Sequence, residues 1–143
     1  MGIHGYKLYL CKVNFIFLKI FQNTSSFFSK EATFVTIGTF DGVHFGHQKI
    51  IEKLVTEGKK EGKKSVLLTF FPHPRMVLQK DASLELLNTI EERSNLLEKT
   101  GLDYLIIHPF SKAFSRTTAL EFVRDILVNQ LNISKLIIGY DHH

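Results

Sequence analysis

Short apolar runs alternating with amphipathic stretches set the pattern of this chain. Thr33 to Phe40 (TFVTIGTF) is apolar and β-branched, and Ser65 to Phe71 (SVLLTFF) is a second such run, closed by Pro72 and Pro74. Continuous runs of this length predict strands buried on both faces. Tyr104 to Ile107 and Leu136 to Gly139 predict two more. Between them lie helical patterns. Gly46 to Gly58 carries Ile50, Ile51 and Leu54 on one face, and Gly58 and Gly62 mark its end. Thr89-Ile90-Glu91-Glu92 is a capping box, in which threonine and glutamate side chains satisfy free amides at a helix start. That helix runs to Thr100 and stops at Gly101. Thr118-Ala119-Leu120-Glu121 is a second box, opening a helix with Leu120, Val123, Leu127 and Leu131 at helical spacing. Strand–helix alternation with unbroken apolar strands predicts an α/β domain, a parallel sheet with helices on both faces.

In such a sheet a ligand sits outside the carboxyl ends of the strands. The loops 40–47, 72–80 and 108–117, and the segment 140–143, are therefore expected to surround one site. The unusual residues of the chain fall in those four places.

Composition narrows the classes. Hydrophobic residues make up 44% of the 143 and charged residues 22%, the balance of an ordinary folded domain, so disorder is a poor reading. The single Cys11 cannot pair within the chain. No stretch reaches the roughly 18 apolar residues of a membrane helix. The net charge of +4 invites a nucleic-acid partner, but its distribution argues against one. Residues 1–30 hold four of the 18 basic side chains and none of the 14 acidic ones, so the remainder is balanced. The segment 1–19 differs in character, rich in Phe, Tyr, Ile, Leu and Lys without punctuation. Asn14 breaks its apolar run, no A-x-A site follows, and Tyr6 stands where myristoylation needs Ser or Thr. The arm is expected to be translated upstream sequence, with the native start near Leu18 to Ile20. Cysteine usage points to a cytoplasmic, reducing compartment.

The chemistry concentrates in Gly38-Thr39-Phe40-Asp41-Gly42-Val43-His44-Phe45-Gly46-His47. A strand ends, the backbone turns on glycines and a helix begins. Free amides and the positive end of the helix dipole then suit a polyphosphate. His44 and His47 are three apart across the helix start, so both imidazoles can project toward one anion. Gly46 leaves room for that anion to approach the backbone. No third ligand is spaced for zinc, and no G-K-[ST] phosphate loop occurs.

His44-Phe45-Gly46-His47 resembles the H-x-G-H signature of a nucleotidyltransferase superfamily with a Rossmann-like fold. Thr69-Phe70-Phe71-Pro72-His73-Pro74, Phe110 with Glu121-Phe122-Val123, and Ile138-Gly139-Tyr140-Asp141 carry a closer match. Over about Ile20 to His143 the chain resembles the FMN adenylyltransferase module of bacterial bifunctional riboflavin kinase/FAD synthetase. The resemblance implies transfer of AMP from ATP to FMN, giving FAD and pyrophosphate, with Mg²⁺ carried mostly by phosphate oxygens and water. It implies small-molecule substrates, no nucleic acid, no membrane, and a covalently linked riboflavin kinase domain.

On this resemblance His44 and His47 hold the ATP phosphates and the transition state. Gly38, Phe40, Asp41 and Gly46 contact ATP, with Asp41 as a plain turn residue the alternative. His73, stiffened between two prolines, joins the FMN or phosphate site, against a rigid loop with an exposed histidine. Arg75 pairs with a phosphate or solvates the loop. Phe110 flanks the flavin or belongs to the core, and Asp141 stands beside the ligands at the site rim. The segment after Asp141, with its S-x-x-[IV]-R element, is expected to be missing from the domain 20–143, leaving weak nucleotide binding and little FAD synthesis. A cytidylyltransferase, or a non-catalytic nucleotide- or flavin-binding module, is the competing reading.

Overall fold

The computed structural model describes residues 18–79, 85–86 and 88–139. Five parallel strands form one sheet: β1 (Lys19–Phe21), β2 (Thr33–Ile37), β3 (Lys64–Phe71), β4 (Tyr104–Pro109) and β5 (Ile133–Leu136), in the order β1-β4-β3-β2-β5. The helices are α1 (Phe45–Glu61), α2 (Pro74–Leu78), α3 (Ile90–Glu98), α4 (Lys112–Ser115) and α5, which opens over Ala119–Glu121 and continues as a π-helix over Phe122–Gln130.

Successive strand residues point to opposite faces, and each face has its own core. Phe34, Leu67, Leu105 and Ile107 pack with Leu54 and Leu97 of α1 and α3. Val35, Val66, Leu68 and Ile106 pack with Ile126, Leu127 and Leu131 on the other side. This double burial is why the strands read as continuous apolar runs rather than alternating ones. Both capping boxes form, at Thr89/Glu92 and at Thr118/Glu121. Gly62 ends α1 in the left-handed region at φ 67°.

The edge strand β1 begins at Lys19, paired with Tyr104, where the segment 1–19 meets the domain. Residues 1–17 of that arm lie outside the described residues. The last strand is Ile133–Leu136 rather than Leu136–Gly139, because its ladder to Thr33–Val35 closes with Ile137 N–H donating to Val35 O. In α5 the apolar face shifts. Leu120 and Val123 are exposed, whereas Phe122, Ile126, Leu127 and Leu131 face the core. A π-turn closes on the fifth residue back, as Leu131 N–H does on Ile126 O, so an α-helical spacing drifts off the buried face.

One half-buried histidine ties down the β1 end. Thr24 N–H donates to His108 Nδ1 at 3.2 Å, and burial lowers the His108 pKa below its ordinary 6.5. Only the neutral ring accepts that bond. The unfolded chain therefore binds the proton more readily, and stability is lost as pH falls below the unfolded value. The urea midpoint is expected to fall between pH 7 and pH 5.5, and less steeply in His108→Asn. His73, whose pKa is also lowered, retains part of the slope.

Candidate active site

After β2 the chain makes a tight turn at the carboxyl edge of the sheet. Gly38 N–H donates to Leu68 O at 3.1 Å, and Thr69 Oγ1 donates to Thr39 O at 3.3 Å. The turn then passes through three positive φ angles: Phe40 (51°), Gly42 (78°) and Val43 (40°). Glycine adopts this region freely, whereas each non-glycine residue there costs about 1–3 kcal/mol. Burial of the Phe40 and Val43 side chains helps offset that cost.

His44 caps α1. Its Nδ1 accepts from Gly46 N–H at 3.1 Å and from His47 N–H at 3.4 Å. These amides, expected to be open to an anion, are thus met by the imidazole. A neutral ring accepting at Nδ1 carries its proton on Nε2, so His44 offers a donor away from the helix. A Cβ on Gly46 would stand 3.1 Å from the His44 ring, and one on Gly38 would stand 2.8 Å from the Phe40 ring. Both glycines therefore make room for these rings. The His44 and His47 rings stack at 3.5 Å between centroids, and His47 lies 4.8 Å from Phe40.

These side chains border a cavity of about 370 Å³, with Gly38 and Thr39 on one wall and Ile50, Ile138 and Gly139 on another. A second cavity of about 580 Å³ opens at the same carboxyl edge of the sheet and shares no wall residue with the first. Its walls include Phe71, Met76, Ile90 and Ile107, with Asn88 and Glu91 as polar members. Both volumes are of the size that holds a small ligand.

The structure gathers Gly38, Phe40, His44, Gly46 and His47 around the first cavity. Asp41 turns toward α3 instead, with its Oδ1 accepting from Asn88 N–H at 3.0 Å and lying 3.4 Å from Arg93 Nη2. His73 caps α2, its Nδ1 accepting from Arg75 N–H at 3.1 Å. Burial lowers the His73 pKa first; Arg75 and Arg93 push the same way and Asp41 opposes them. His73 thus shares the electrostatic surroundings of the turn. Arg75 is exposed on α2. Phe110 packs edge-on against Phe70 at 5.9 Å and Phe114 at 5.7 Å, in an aromatic group at the ends of β3 and β4; it lines neither cavity, though its N–H donates to Phe71 O beside the second. Asp141 lies outside the described residues. Sequence reading missed Arg93, which is buried, and the Ile138–Gly139 wall. Arg93 sits 52 positions from its partner, and no local pattern announces such a pair.

The family model for FAD synthetase matches residues 27–143. The chain belongs to the FAD synthetase family. It is 38% identical over 107 residues to a bifunctional riboflavin kinase/FMN adenylyltransferase of Buchnera aphidicola subsp. Schizaphis graminum, covering 75% of this chain and 34% of that protein. The Escherichia coli K12 protein of the same name is 33% identical over 112 residues, covering 78% and 36%. A Listeria monocytogenes FAD synthetase is 38% identical over 109 residues, covering 76% and 44%. The chain spans about a third of the length of these bifunctional relatives. A crystal structure described as a macrolide-efflux protein from Streptococcus pneumoniae superposes with a TM-score of 0.75 at 26% identity, covering 89% of this chain and 42% of that one. Among the described residues of this FAD synthetase family member, no helix is long and apolar enough to cross a membrane.

Proposed function

We propose that this chain is the adenylyl-transferring part of an FAD synthetase, moving AMP from ATP to FMN. The observation that carries the reading is the stacked His44–His47 pair at the mouth of a cavity on the carboxyl edge of a parallel sheet. ATP occupies the His44–His47 cavity with its phosphates against the start of α1. FMN lies in the neighbouring cavity with its flavin against the apolar wall and its phosphate toward the turn. An oxygen of the FMN phosphate attacks the α-phosphorus of ATP, a new P–O bond forms, and the bond to the β-phosphate breaks with pyrophosphate leaving. The nucleophile is already an anion, so no strong base is required. The protein's work is alignment and stabilisation of charge on the leaving group. His44 Nε2–H and the His47 ring supply it at the helix start.

Among the described residues no group of three or more His, Cys, Asp or Glu side chains is arranged to hold a metal ion. Mg²⁺ would be held mostly by the ATP phosphate oxygens and water. The partners are small molecules, with neither nucleic acid nor membrane. A linked riboflavin kinase domain, on the names of the bifunctional relatives, and a cytoplasmic location, on the cysteine usage, complete the proposal.

Calorimetric titration with ATP and CTP tests the nucleotide, and chromatography of a mixture with ATP and FMN tests the product. ATP is expected to bind at least about tenfold more tightly than CTP, a difference of about 1.4 kcal/mol. Little FAD is expected from these residues alone, with one pyrophosphate released for each FAD formed. Equal binding of both nucleotides, or a cytidylylated product, would overturn the assignment.

A further inference from the structure

The turn between β2 and α1 is strained, and something must hold it. Phe40 and Val43 are non-glycine residues at positive φ, and Asp41 sits between them. Strained conformations of this kind persist only where the surroundings over-determine them. The Asp41 carboxylate is anchored by the Asn88 N–H, just before α3, at 3.0 Å and by Arg93 Nη2 of α3 at 3.4 Å. The Arg93 side chain is 3% exposed and that of Asp41 20%. Burial works against the charge of Arg93, and Asp41 restores part of it. Among the described residues Arg93 Nε has no hydrogen-bond partner. An ion placed this way is a poor stabiliser, since apolar side chains of similar volume serve a core as well or better. What it supplies is direction, because a charged partner fixes where Asp41 points.

We propose that Arg93 is a positioning residue. Through the Asp41 carboxylate it holds the 40–43 turn in the conformation that sets Phe40 and His44 on the wall of the nucleotide cavity. The link from Arg93 to the turn rests on geometry alone. Its consequence for ATP rests on the function proposed above. The residues next to Arg93 also wall the second cavity, from Asn88 to Glu91, so one helix start supports both cavities.

Hydrogen exchange and ATP titration on the full chain test this, with Arg93→Met, Arg93→Lys and Asp41→Asn. The amides to follow are Val43, Gly46 and His47, which are bonded within the turn and cap. In Arg93→Met and Asp41→Asn their exchange is expected to rise roughly 10- to 100-fold, the range of one charge-assisted hydrogen bond. Exchange at Val66 to Leu68 in the central strand stays unchanged, and ATP affinity drops by a similar factor. Arg93→Lys, which keeps the charge, recovers part of both. Equal acceleration in the turn and the central strand would reduce Arg93 to a merely structural residue, and an unchanged turn would refute the proposal outright. If Arg93→Met fails to fold, Arg93→Lys and Asp41→Asn carry the same comparison. If the turn responds but the unaltered chain binds no ATP, the nucleotide assignment falls and the positioning role stands.

Discussion

His47→Ala is expected to lower FAD formation by roughly 10²- to 10³-fold, the effect of removing one preorganised donor from a transition-state site. Its ring is half-buried, stacked on His44 and tilted against Phe40, so it is held in place before any ligand arrives. His44 needs a more careful substitution because it also caps α1. His44→Ala removes cap and donor together, and about 1 kcal/mol of its effect is helix stability. Asparagine is among the best capping residues and has no imidazole. His44→Asn should therefore melt close to the unaltered protein yet lose activity on the scale of His47→Ala. The double variant should fall little further than either single one, since residues acting as a unit are not additive. Rates of FAD formation beside thermal melts check all three. An active His44→Asn would show that His44 serves the helix and not the reaction.

The second large effect lies in the core. Leu67 is fully buried on β3, paired in register with Thr36 on β2 and Leu105 on β4. Leu67→Ala removes three buried carbons from the middle of the sheet and leaves a space that neighbouring strands cannot close. The expected cost is about 2–5 kcal/mol. That is a large part of the ~5–15 kcal/mol by which a domain is stable. Urea denaturation should show a lower midpoint at an unchanged slope. Leu120→Ala is the matched control. Leu120 is 71% exposed, so its loss should stay within about 0.5 kcal/mol.

That pair of leucines shows where sequence reading succeeds and where it stops. Leu67 lies in an apolar run whose meaning is local: strands covered on both faces need apolar residues at every position. β2, β3 and β4, α1, both capping boxes and the His44–His47 turn were legible for the same reason. Leu120 was assigned to a buried face on α-helical spacing, and the π-helix rephased it. No local signal marks a π-turn, because packing against the sheet selects it. β1 has only three residues, and its strand character depends on a partner 85 positions away. The position of β5 is not legible because the apolar run at Leu136–Ile138 continues beyond the hydrogen-bonded ladder to wall the cavity. The Asp41–Arg93 contact belongs to the same class, a meeting of distant residues that only the folded topology creates.

The strand order also has a consequence for the newborn chain. β2 and β3 meet across a short separation, with Thr33 opposite Lys64, and can pair soon after both leave the ribosome. β1 cannot, because its neighbour in the sheet is β4, with Lys19 opposite Tyr104. At a synthesis rate of ~5–20 residues per second, the first strand waits roughly 4–17 s for its partner to be made. β5 is made later still, and joins the far side of β2. Among the described strands the sheet therefore grows outward from its centre during translation, and β1 waits longest for its neighbour.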